Sequence, residues 1–189
     1  MKKLVLFNGP RHSGKDTAAL YCEQEFGAYH FKFSGPIKAA IKAMFNLTDE
    51  EVDYLESIKT EPTSLLMGMS YVGAQISFSE DWVKKILGKD AFGRLAATEI
   101  ENSIAANPFK KLYVSSDSGF SSEAEPVVNL FGKENTLLVR IFRDGKDFGG
   151  DSRSYISING VTTVPVINSG SVESYHKTIH QIISKWCQN

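Results

Sequence analysis

The stretch "LVLFNGPRHSGKDTAALYCEQEF" (residues 4–26) constrains this chain more than any other. An apolar run ends at Asn8, Gly9 opens a polar loop, four residues separate it from Gly14, and Lys15 starts a helical pattern. A strand that passes through such a loop straight into a helix leaves backbone N–H groups facing a concavity at the positive end of the helix. That is a place to hold phosphate. The glycines let the backbone curl, and Lys15 supplies a point charge for the β and γ phosphates of a nucleoside triphosphate. Gly9, Arg11, His12, Ser13, Gly14, Lys15, Asp16 and Thr17 are therefore the candidate phosphate-loop residues. His12 reads as a solvent-facing or phosphate-contacting side chain rather than a base.

Asp16 is the anomaly. A loop of this kind places Ser or Thr after the lysine, so that a hydroxyl reaches magnesium. Here a carboxylate occupies that position and Thr17 comes one residue late. Beside three phosphates a bare carboxylate is repelled at short range, so either a cation intervenes or the side chain turns away. Asp16 could hold magnesium directly or through water. It could instead contact the acceptor while Thr17 meets the α-phosphate or the metal. As a helix-start carboxylate it would simply stabilise the first turn.

The rest of the chain reads as one α/β domain over 1–189. Apolar runs at 3–8, 111–116, 136–142 and 162–168, with 28–33 as a fifth, have the continuous hydrophobicity of strands in a parallel sheet covered on both faces. Pro165 places the 162–168 strand at a sheet edge. Helical patterns fall between them at 15–26, 35–45, 48–56, 80–87, 90–106, 122–131 and 171–187. Pro36 sits as a first-turn residue and Thr48 as a cap. This alternation predicts a doubly wound sheet. Residues 57–79 carry no clear pattern, and 143–155, "RDGKDFGGDSRSY", form a long polar, glycine-rich loop.

Charge and composition narrow the function. The 21 Lys and Arg against 22 Asp and Glu give a net charge of −1, so no global basic field exists to hold nucleic acid. The two cysteines, Cys22 and Cys187, are far apart and form no zinc motif, which suits a reducing compartment. "MKKLVLFNG" is too short in its apolar run for a secretory signal, and no run approaches a membrane span. The expectation is a soluble, cytoplasmic protein, monomer or homodimer, without membrane or nucleic-acid partners.

Beyond the loop, Asp117 stands at the carboxyl end of the "LYVSSD" strand, where ligands bind in open α/β sheets. There it could hold a metal-bound water, meet an acceptor, or serve only as a turn residue. Arg140, Arg143, Lys146 and Arg153 bracket the glycine-rich loop, and arginines on a closing lid can stabilise phosphoryl charge while excluding water. Ser34, Lys38, Lys89, Asp90 and Arg94 form a candidate acceptor set, with Arg94 suited to bidentate phosphate contact. His30, His176 and His180 carry no evident role.

The segments "GPRHSGKDTAA" (9–19), "FSGPIKAAIKAMF" (33–45), "SEDWVKKILGKDAFGRLAATEIE" (79–101), "LYVSSDSGFSSEAEPV" (112–127) and "RIFRDGKDFGGDSRSYI" (140–156) resemble, in order, those of bacteriophage deoxynucleoside monophosphate kinases within the P-loop nucleoside/nucleotide kinases. "SGKDT" is similar to that family's form of the loop. The resemblance implies transfer of the ATP γ-phosphate to a deoxynucleoside monophosphate with magnesium, on a central five-stranded parallel sheet with a small mobile lid. It implies ATP on 9–17 with Lys15 and Asp16 in the catalytic set, and an acceptor-binding helical region over about 34–106 carrying Ser34, Lys38 and Arg94, with Asp117 nearby. It also implies a lid over about 143–155 supplying Arg143 and Arg153; the residues themselves offer Asp16, Thr17 and Asp117 as candidate magnesium ligands. The chain departs from some relatives in lacking a basic residue after Asp117, where "SGF" follows. Two other readings stand beside it: another small-molecule P-loop kinase resembling dephospho-coenzyme A kinase, or a nucleotide-binding protein without transfer activity.

Overall fold

The structure, a computed structural model, describes residues 1–188. The chain divides into two compact units, one formed by Met1–Phe33 with the segment from Gly93 onward, the other by Ser34–Phe92.

The first unit carries all five strands: β1 (Lys3–Asn8), β2 (Tyr29–Phe31), β3 (Leu112–Ser115), β4 (Thr136–Phe142) and β5 (Thr162–Ile167). They form one sheet in the order β2-β3-β1-β4-β5, with every pairing parallel. This is the doubly wound α/β P-loop arrangement, with the phosphate loop leaving the central strand. Alternation along β1 explains why both faces are covered. Leu4 and Leu6 join Tyr113 and Leu138 in one core, which includes Ala96 and Ile100 of helix α6 (Ala91–Ala106) and Ala124, Val127 and Val128 of α7 (Ser121–Phe131). Val5 and Phe7 join Val114, Val139 and Ile141 in the other, packed by Ala18, Ala19 and Cys22 of α1 (Lys15–Phe26) and Tyr175, Ile179 and Ile183 of α8 (Val172–Gln188). At ~25 cal/mol per Å² of apolar surface removed from water, these two layers supply most of what holds the unit together. β5, with Pro165, lies at the edge.

The second unit is helical: α2 (Gly35–Met44), α3 (Asp49–Ser57), α4 (Tyr71–Ile76) and α5 (Lys84–Leu87). Pro36 lies in the first turn of α2. Thr48 caps α3 in a reciprocal box: its hydroxyl accepts from the Glu51 N–H at 3.2 Å, and the Glu51 carboxylate accepts from the Thr48 N–H at 2.8 Å. Ile41, Leu55, Leu66 and Tyr71 form its buried centre.

Two differences from the sequence pattern have local causes. The helix expected at 80–87 divides into a π-helical turn, Ser77–Val83, and the short α5, because the Lys84 N–H reaches back five residues to the Ser79 carbonyl. The pattern-free 57–79 holds a 3₁₀ turn at Ser64–Leu66 and α4, whose cap is Ser70 accepting from the Gly73 N–H at 3.1 Å. Caps and a Pro62–Ser70 bridge, not periodicity, organise it.

Candidate phosphate-loop site

The loop between β1 and α1 keeps its shape through three features. Gly14, at the N-cap of α1, has φ +107°, and a Cβ there would lie 2.5 Å from Asn168 Nδ2. A Cβ on Gly9 would lie 2.6 Å from the Ile141 carbonyl oxygen, so the loop can approach β4 only with glycine here. The loop carbonyls are then held from outside: Asn168 Nδ2 donates to Ser13 O at 2.8 Å, the Tyr175 hydroxyl to Gly14 O at 3.1 Å, and Arg143 Nη1 to His12 O at 3.2 Å. His12 itself has φ +61° and is exposed.

Inside the loop Lys15 is 8% exposed and its Nζ donates to Pro10 O at 2.6 Å. Among the described residues it has no carboxylate partner at ion-pair distance. Burial pushes its pKa down, Arg153 adds to that, and Asp16, Asp151 and Asp117 oppose it. The Ser13 hydroxyl is buried with no hydrogen-bond partner among the described residues. A buried cation without a counter-ion and an orphaned hydroxyl fit an anion bound in this loop.

Asp16, the first-turn carboxylate of α1, has a side chain 66% exposed. Its Oδ1 accepts from Ser116 Oγ at 2.8 Å and from Lys32 Nζ at 3.1 Å. Burial raises its pKa, but Lys32, the Ser116 hydroxyl and Lys15 together outweigh that and hold the carboxyl below its ordinary value. Asp117, by contrast, is tied into the scaffold. Its Oδ1 accepts from the Phe33 N–H at 3.0 Å and from Ser115 Oγ at 2.9 Å, linking the ends of β2 and β3.

Arg153 forms a multiple hydrogen-bonded pair with Asp151, which raises the guanidinium pKa and holds the Asp151 carboxyl below its ordinary value. Its stem lies over Gly119, where a Cβ would meet Arg153 Cδ at 2.4 Å. Glycine at 119 thus makes room for an arginine from the glycine-rich loop. Arg140 donates from Nε to Ile156 O, just past the end of that loop, at 3.0 Å. Ser34 is the N-cap of α2, and Lys38 in its first turn pairs with Glu56 within the second unit. Arg94 is exposed near the start of α6.

Several site residues escape a reading of the sequence. Asn8, buried at the end of β1, donates to Ser118 O at 2.7 Å and Ser154 O at 3.0 Å and accepts from the Ile156 N–H at 3.0 Å, so one side chain ties the end of β1 to the turn after β3 and to residues 154–156. Lys32, Ser116, Asp151, Asn168 and Tyr175 carry no motif. His30, which carries no evident role in the sequence, lies with its Nε2 3.1 Å from Ser116 Oγ. His176 stacks on Tyr21 with centroids 4.4 Å apart, and His180 meets the Tyr21 hydroxyl at 3.1 Å.

No family model matches the sequence. The chain is 25% identical over 187 residues to an Acanthamoeba polyphaga mimivirus protein named "Putative deoxynucleotide monophosphate kinase", covering 93% of each. It is similar in structure to an unliganded sugar kinase from Janibacter sp. HTCC2649 (10% identity, TM-score 0.49, 100% of this chain and 95% of that one). It is also similar to the dephospho-CoA kinase of Campylobacter jejuni (16%, TM-score 0.46, 98% and 97%) and to the shikimate kinase of Acinetobacter baumannii (12%, TM-score 0.41, 98% and 94%). No helix among the described residues is long and apolar enough to cross a membrane.

Proposed function

We propose that this protein is a P-loop phosphotransferase that moves the γ-phosphoryl group of ATP to a deoxynucleoside monophosphate, giving ADP and the diphosphate. The observation that carries the reading is the buried, carboxylate-free Lys15 inside a loop whose glycines are sterically required. The mimivirus relative, similar over almost the whole chain, supports the kinase class and is the basis for the choice of acceptor.

On this reading the loop N–H groups, the helix end and Lys15 bind the β and γ phosphates, and Arg143 and Arg153 stabilise the charge that spreads over the transferring group. Arg153 would exchange its Asp151 pairing for phosphate contact. Ser34, Lys38 and Arg94 are each proposed as acceptor contacts on the strength of the sequence resemblance alone. Asp117 enters as a support for the strand ends beside the acceptor.

Magnesium fits this donor set. It keeps several waters and needs only one or two protein groups besides the phosphates, and the second oxygen of Asp16 accepts no hydrogen bond among the described residues. Thr17 and Asp16 would hold it, Asp16 through water because Lys32 already neutralises the carboxylate. The ion supplies charge neutralisation between the phosphates. Asp117 fits less well, since its Oδ1 is committed to Phe33 and Ser115.

The test is ADP production with ATP, magnesium and each ribo- and deoxynucleoside monophosphate in turn, with dephospho-coenzyme A as a non-nucleotide acceptor. Turnover with at least one deoxynucleoside monophosphate is expected. ADP no higher than in the acceptor-free control across the panel would remove the reading.

A further inference from the structure

The sheet register brings a histidine to the phosphate loop. His30 lies opposite Val114 in the β2–β3 pair, and Ser116, two residues on and just past the end of β3, follows on the same side. Val114 belongs to the core packed by α1, and Asp16 is in the first turn of that helix. Three side chains then fall in line: His30 Nε2 is 3.1 Å from Ser116 Oγ, and Ser116 Oγ is 2.8 Å from Asp16 Oδ1.

We propose that His30 and Ser116 are positioning residues for Asp16: His30 donates from Nε2 to Ser116, Ser116 donates to Oδ1, and the carboxylate is held with Oδ2 turned to the reacting groups. What Asp16 does with Oδ2 rests on the kinase reading; the relay itself rests on the geometry.

Donor accounting leaves one arrangement. An ionised carboxylate only accepts, so the single Ser116 proton must point at Asp16. The Ser116 oxygen then has lone pairs to offer and needs a donor, which is Nε2–H. The other neutral tautomer would turn a lone pair of Nε2 on Ser116 and draw its proton away from Asp16, leaving two oxygens facing each other at 2.8 Å without hydrogen. The charged groups around the ring are Glu23, Lys32, Asp16 and Asp117. Glu23 Oε2 lies 3.8 Å from Nδ1. Burial of the ring, then Lys32, push the imidazole pKa down against the three carboxylates, which keeps the ring neutral and the accounting valid near pH 7.

Rigidity separates the two partners of Oδ1. Lys32 is a flexible side chain, 40% exposed, and such surface pairs fix little. The His30 side chain is 10% exposed and cannot wander. Hydrogen bonds in series also polarise one another, so the chain is stiffer than either link.

Nitrogen-15 NMR of the wild-type imidazoles at pH 7 needs neither turnover nor a variant. It should find a proton on His30 Nε2; an Nδ1–H tautomer, with Nε2 bare, would overturn the relay. In kinetics Ser116→Ala should lower kcat roughly tenfold to a hundredfold, the worth of one hydrogen bond to a charged group, with KM for ATP within about twofold. His30→Leu should lower kcat less, and His30→Gln, which keeps a donor, should restore most of it. In an Asp16→Asn background the Ser116→Ala effect should vanish; full additivity there would again overturn the proposal. Absence of turnover in wild type would count against the kinase reading and leave the relay to be decided by the tautomer.

Discussion

Lys15 Nζ donates to the carbonyl of Pro10, five residues back, at 2.6 Å, so the ammonium is folded into its own loop. On the proposed function, Lys15→Met should lower turnover to about a hundredth of wild type or less, because the lost charge would act on the transferring phosphates. It should not weaken the fold, since a buried unpaired cation is costly to keep. Thermal melts with and without ATP check both: the wild-type melting temperature should rise with ATP and that of the variant should not.

Two glycines with positive φ should respond differently to alanine. Gly14 (φ +107°) meets Asn168 as well as backbone strain, whereas Gly27 (φ +60°), after the last turn of α1, has nothing within 4 Å of an added Cβ. Gly27→Ala should cost about 1 kcal/mol from strain alone, and Gly14→Ala at least about twice that while loosening the loop. Urea unfolding of both variants measures the difference.

Asn8 serves three partners from one buried amide. Replacement by Ala strands two carbonyls and an N–H, at a cost of about 2–4 kcal/mol. Amide exchange at Ile156 should accelerate beyond the global loss of stability, because the Asn8 oxygen is its acceptor.

The Asp151–Arg153 pair fixes the sign of an acid response. The Arg153 hydrogen bond holds the Asp151 carboxyl below its unfolded value of 3.8, so its stabilising contribution is complete above that pH and is lost as pH falls through the lower folded value. Asp151→Asn should therefore flatten the stability–pH curve below about pH 4, and chemical denaturation between pH 2 and 6 reads it. If the pair is a resting position for Arg153, the same variant should also lower KM for ATP.

Burial lifts the Cys22 thiol to about 12, with Cys187 adding to the shift. At pH 8 an alkylating reagent should modify exposed Cys187 and spare Cys22, and denaturation should release Cys22. Mass spectrometry before and after unfolding checks this.

Much of this protein was legible from sequence because local chemistry dictates it. Continuous apolar runs marked the strands, Pro165 the edge, Thr48 and Pro36 the helix starts. "GPRHSGKD" marked the phosphate loop, since only glycine satisfies its backbone and only a strand–loop–helix unit gives it a purpose. Where order depended on caps and a single bridge, as at 57–79, no period existed to read. The site beyond the loop was hidden for another reason. Asn8, the His30–Lys32 segment and Ser116 are distant in sequence, and their residue types alone announce nothing.

Asp16 draws the line between the two sources. Sequence established that a carboxylate stands where a hydroxyl is expected, and that something must compensate it. Only the tertiary structure names the compensation, Lys32 and Ser116 on one oxygen, with His30 behind Ser116. Parallel pairing of β2 with β3, and α1 packed across them, bring residues 16 and 100 positions away from Asp16 to hydrogen-bonding range, and no local pattern encodes that register.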